Sequence, residues 1–77
     1  MAKTFSGQQV IKILIEHFSF IKISSRGSHV KLKKLISTGE ISTIIPLHKE
    51  LARGTLRGVL FLAKIEYQDF IKVAQGK

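Results

Sequence analysis

The stretch FIKISSRGSHVKLKKLISTGEISTIIPL, residues 20–47, decides the fold. It holds three short runs rich in β-branched residues, separated by two polar segments that each contain a glycine. Residues 20–24 are bounded by Ser and Gly and read as a strand. Ser25, Arg26, Gly27 and Ser28 form the turn, with Gly27 available for a positive φ. Residues 29–36 alternate: Val30 and Leu32 point one way, and His29, Lys31 and Lys33 point the other. After a second turn at Ser37, Thr38, Gly39 and Glu40, residues 41–47 place Ile41, Thr43, Ile45 and Leu47 on one face. Pro46 donates no ladder hydrogen bond, so it belongs near a strand end or on a sheet edge. Three strands joined by such short turns predict an antiparallel meander.

The flanks are helical. In residues 6–18, Val10, Ile11, Leu14, His17 and Phe18 recur at helical spacing, Lys12 and Glu16 fall on a polar flank, and Ser6 with Gln9 has the spacing of a capping box. His17 lies on the apolar flank and reads as a partly buried packing residue. Beyond a basic connector, residues 49–53, Thr55 is placed to cap a second helix carrying Leu56, Val59, Leu60 and Ala63. Gly58 weakens that helix by about 1 kcal/mol relative to Ala and would let it pack closely on the sheet. Tyr67, Phe70, Ile71 and Ala74 repeat the pattern in a short terminal helix. The order α-β-β-β-α plus a terminal helix predicts an α+β, two-layer sandwich with helices over one sheet face. The other face stays open and carries His29, Lys31 and Lys33, with Lys22 on the neighbouring strand and Arg26 in the turn.

Composition narrows the function. The 77 residues suit a single domain over 1–77, and with no cysteine neither disulfides nor thiolate metal sites reinforce it. Lys plus Arg number 13 against 5 Asp plus Glu, and the resulting net charge of +8 favours polyanionic partners. No apolar run approaches the ~20 residues of a membrane span, and the N-terminus lacks the order of a signal peptide, so a cytoplasmic protein without a membrane partner is expected. Walker-type and dinucleotide-binding glycine loops are missing, and His17, His29 and His48 are too scattered for a metal motif. The expectation is therefore no metal and no small-molecule cofactor.

At Gly27-Ser28-His29 the chain resembles the HicA toxin family, small ribonucleases (mRNA interferases) of bacterial and archaeal toxin–antitoxin pairs. The resemblance continues through Ile45-Pro46-Leu47-His48, Glu50-Leu51 and Gly54-Thr55-Leu56-Arg57, in matching order and spacing over nearly the whole chain. It implies a double-stranded-RNA-binding-like fold, RNA cleavage by a single histidine at His29, and a HicB-type antitoxin covering the active site. The chain departs from the family pattern at three places. Ser19-Phe20 replaces a common Gly-Phe pair, Ser24 stands where a basic residue is frequent, and Ala63-Lys64 replaces Ala-Gly. Without that last glycine a left-handed helix cap is disfavoured, and the second helix is expected to run on toward the terminal segment.

The chemistry needs little machinery, because RNA carries its own nucleophile, the 2′-hydroxyl. Histidine suits the proton transfers, its unperturbed pKa lying near about 6.5. Cations suit the charge on phosphate. His29 is thus the candidate acid–base residue, with Lys22, Arg26, Gly27, Ser28, Lys31 and Lys33 as candidate RNA contacts. His48 and Arg57 are secondary candidates, and Lys49, Arg53 and Arg57 would form one basic stripe if the connector were helical. Taken singly, exposed strand lysines and histidines are ordinarily solvated residues. Phe5, Phe18, Phe20, Phe61, Tyr67 and Phe70 read as core residues and not as base-stacking platforms. Two other classes fit the same residues: a non-catalytic RNA-binding module, and a protein-interaction domain whose basic face docks an acidic partner.

Overall fold

The computed structural model describes residues 4–76. Helix α1 spans Gly7–His17, strands β1, β2 and β3 span Ile21–Arg26, His29–Ile36 and Gly39–Pro46, and helices α2 and α3 span Arg53–Ala63 and Tyr67–Ala74. The order α-β-β-β-α-α is the expected α+β arrangement. The strands form one antiparallel sheet, β1-β2-β3, with β2 in the centre. The shortest extent, 19 Å, is that of one sheet and one helix layer, each about 10 Å thick.

Local chemistry accounts for most element boundaries. The Ser6 hydroxyl accepts from the Gln9 N–H, and the Gln9 side chain accepts from the Ser6 N–H, closing the capping box at the start of α1. Gly27 has φ +57° at the first position of a two-residue turn, the pattern of a type II′ hairpin, and it brings Arg26 opposite His29. The Leu47 N–H donates to the Ser28 carbonyl at 2.7 Å and ties this hairpin tip to the end of β3. Pro46 ends an edge strand, as its missing donor requires.

α1 and α2 both pack on β3, and α3 packs on α1. Between these layers lie Val10 and Leu14 of α1, Val30 and Leu32 of β2, Ile41 and Ile45 of β3, and Leu56, Val59 and Leu60 of α2. Phe5 meets Phe70 edge to face, with ring centroids 5.2 Å apart. The buried Thr43 hydroxyl donates to the Val59 carbonyl at 2.9 Å, so a polar residue in the apolar row is satisfied by the helix above it. Gly7 lets α1 approach β3 closely: its N–H donates to the His48 carbonyl, and a methyl on its Cα would overlap the Pro46 carbonyl oxygen.

Five expectations need correction. α2 begins at Arg53 with Ala52 before it and no side-chain cap, so Thr55 lies inside the first turn. Leu51 sets that start: it is buried, and its N–H donates to the Phe5 carbonyl. Residues 49–52 are consequently not helical, and no stripe links Lys49 to Arg53 and Arg57. Gly58 faces open space and serves no close packing on the sheet. α2 stops at Ala63, where Lys64 adopts the left-handed conformation (φ 58°) that the lysine was expected to disfavour. Two bonds hold it there, Lys64 N–H to the Phe61 carbonyl and Ile65 N–H to the Leu60 carbonyl, the Schellman pair. His17 is exposed, in the last turn of α1 where a basic side chain suits the helix dipole.

Candidate nucleic-acid interface

The sheet face away from the helices is built by β2 and its partners. His29, Lys31, Lys33 and Leu35 alternate with the buried Val30 and Leu32. Opposite them on β3 stand Pro46, Ile44, Ser42 and Glu40. Opposite the first two on β1 stand Arg26 and Ser24, and Ile21 pairs with Lys33. His29 therefore sits on the central strand between Arg26 and Pro46, beside the hairpin tip. Arg26, His29, Lys31, Ser24, Ser25 and Ile44 line an open depression of ≈ 610 Å³.

The charge is concentrated at this end of the face. Lys33 Nζ lies 3.0 Å from Glu40 Oε1, so its charge is already partnered. Arg26 and Lys31 flank the histidine from the adjacent strand and from its own. Gly27 and Ser28 serve through the backbone, one by its positive φ and the other by its carbonyl bond to Leu47. An exposed imidazole flanked by cations on a paired strand can take a proton from a hydroxyl next to a phosphodiester while the cations hold the phosphate oxygens.

Three candidates lie elsewhere. Lys22, expected on the strand next to His29 as an RNA contact, is on that strand, but a bulge between Lys22 and Ser24 adds Ile23 to β1 and turns it away. Lys22 thereby pairs with Leu32, not Lys33, and lines a groove beside α1 with Lys12, Glu16 and Gln8. His48 is exposed in the loop after β3, near Ser6, Gln8 and Lys49 at the start of α1. Arg57 belongs to the helix layer, its guanidinium 4.3 Å from the centre of the Tyr67 ring. Among the described residues no three His, Asp or Glu side chains gather as a metal site, and no helix is long and apolar enough to cross a membrane.

Three features do not follow from the sequence pattern. The open face is also apolar: Ile21, Leu35 and Ile44 are exposed on it, and the bulged Ile23 is exposed as well. β1 is exposed along its whole length, whereas alternation alone would have buried every second residue. Phe61, expected in the core, is 81% exposed, because the buried stripe of α2 is Leu56, Val59, Leu60 and Ala63 and position 61 falls outside it.

The family model described as HicA toxin of bacterial toxin-antitoxin matches residues 7–65, from the first residue of α1 to the residue after the α2 cap. No curated protein matches the chain. The chain belongs to the HicA toxin family and is a toxin of a toxin–antitoxin pair.

Proposed function

We propose that this HicA-family toxin is a metal-independent endoribonuclease that cleaves mRNA with His29 as its acid–base residue. The observation that carries the reading is the position of His29: exposed on the central strand, cross-strand from Arg26, with Lys31 two residues along the same face. The imidazole accepts the proton of the RNA 2′-hydroxyl as that oxygen forms its bond to phosphorus. The bond from phosphorus to the 5′-oxygen breaks, and the departing oxygen takes up the proton that the imidazolium now carries. Arg26 and Lys31 stabilise the charge on the non-bridging oxygens. A HicB-type antitoxin neutralises the enzyme by covering this face, where a cationic centre and the exposed Ile21, Leu35 and Ile44 suit an acidic, partly apolar partner. An antitoxin complex that leaves His29 open to RNA would contradict this last part.

The test is cleavage of a long single-stranded RNA by purified protein with a metal chelator present. Wild type should cut, and His29→Ala should cut at least about 100-fold more slowly while unfolding at the same temperature. Equal cleavage by the variant removes His29 from the mechanism. Loss of wild-type cleavage on adding chelator removes metal independence. RNA bound by wild type but left intact makes the chain a non-catalytic RNA-binding module.

A further inference from the structure

The cleft between α2 and α3, in the helix layer, is lined by Arg57, Gly58, Phe61, Lys64, Glu66 and Tyr67 among others and encloses ≈ 680 Å³. Arg57 and Phe61 are four residues apart on one exposed side of α2, and Lys64, the left-handed residue just past its end, lines the same cleft. The Arg57 guanidinium already lies over the Tyr67 ring at 4.3 Å, which presents its outer face as a further planar surface. Phe61 stands 81% exposed one turn on. Gly58 lines the cleft beside them, and no heavy atom lies within 4 Å of where its Cβ would be. A glycine in a helix interior costs stability, and here no packing in the fold requires it. Its missing side chain leaves this wall of the cleft open.

We propose that this cleft binds a nucleobase of single-stranded RNA, stacked between Phe61 and the Arg57–Tyr67 pair, with the neighbouring phosphates on Arg57 and Lys64. The inference rests on the reading of RNA as the substrate and adds a second contact, in the layer opposite the His29 face. The single-stranded form is what the geometry selects: a base paired in a duplex has no free faces to insert. Glu66 at the cleft's edge repels phosphate and leaves Arg57 and Lys64 as the side along which the backbone runs.

Tyr67 is the protein's one tyrosine and there is no tryptophan, so its fluorescence reports on this cleft alone. The probe is hexauridylate with 2′-O-methyl groups, which lacks the hydroxyl needed for cleavage. Full-length wild type, Phe61→Ala, Gly58→Leu and Arg26→Ala are titrated with it, reading Tyr67 fluorescence and the anisotropy of a labelled probe. The expected result is a saturable quench of Tyr67 in wild type. Affinity should fall about tenfold in Phe61→Ala, which loses a stacking surface, and similarly in Gly58→Leu, which fills the open wall of the cleft without straining the helix. Arg26→Ala should weaken binding but keep the quench. Unchanged affinity and no quench, with Arg26→Ala still weakened, overturns the cleft and leaves the His29 face intact as the RNA site. No binding by wild type to this probe or to a long RNA overturns both readings. Self-association of wild type that Phe61→Ala abolishes, without a quench by the probe, assigns the cleft to a second copy of the chain and overturns the proposal.

Discussion

The two edge strands of the sheet are built from similar residues and meet opposite fates. β3 buries Ile41, Thr43, Ile45 and Pro46 beneath α1 and α2, while every residue of β1 is exposed. Isoleucines supply both: Ile45 is fully buried, and Ile21 and Ile23 are 56% and 44% exposed. Strand propensity therefore decides that each segment is extended, and the helices decide which one contributes to the core. His29 lies between the two strands, on β2. One side of the candidate site is anchored through β3 to the helices, and the other side, carrying Arg26, is held by its ladder to β2 and by a hairpin tip that the Leu47 N–H ties to the end of β3.

The comparison can be broken most strongly at Ile45. Ile45→Ala should destabilise the protein by about 3 kcal/mol, a lowering of the thermal midpoint of more than about 10 °C for a chain of this size. Gly7→Ala attacks the same edge from the helix side, because the new methyl meets the Pro46 carbonyl. It should cost about 2 kcal/mol, and an uncoupled loss seen only in α1 would show that this approach is not shared with β3. In the opposite direction, Lys64→Gly and Ser19→Gly should each stabilise by about 1 kcal/mol, since both residues hold a positive φ that glycine adopts freely. Ser19 feeds the chain into β1 and Lys64 ends the helix over β3, so equal gains would place both caps in one cooperative unit. Ile23→Ala on β1 should change stability by less than about 0.5 kcal/mol. A loss there as large as that at Ile45 would mean that β1 is covered in solution.

Much of this was readable beforehand, and the failures share a cause. The capping box of α1, the range of β2 and its two faces, the end position of Pro46 and the apolar stripe of α2 all follow from residues close together in sequence. His29 with Lys31 followed from the alternation of one strand. Lys22 did not, because a bulge inserts one residue with no composition of its own and reverses the faces upstream of it. The left-handed Lys64 escaped because a penalty of about 1–2 kcal/mol on a lysine is offset by two backbone bonds and by Ile65 packing against the core beyond. The glycines were misjudged in the same way. Gly58 looked like a packing residue and faces solvent, whereas Gly7, which drew no notice, is the one pressed against another element. Local pattern states what a residue permits, and only the tertiary neighbour states whether the permission is used.

The bulge at Ile23 has a consequence for how the protein behaves when crowded with its own copies. A free strand edge is a template for indefinite sheet growth, and β1 is long and uncovered enough to serve as one. The extra residue bends and twists this edge, and Lys22 and Arg26 place positive charge on either side of it. A second copy must follow the bend and meets like charge when it does. The edge stays open for a partner of different shape while being a poor seed for fibres of itself.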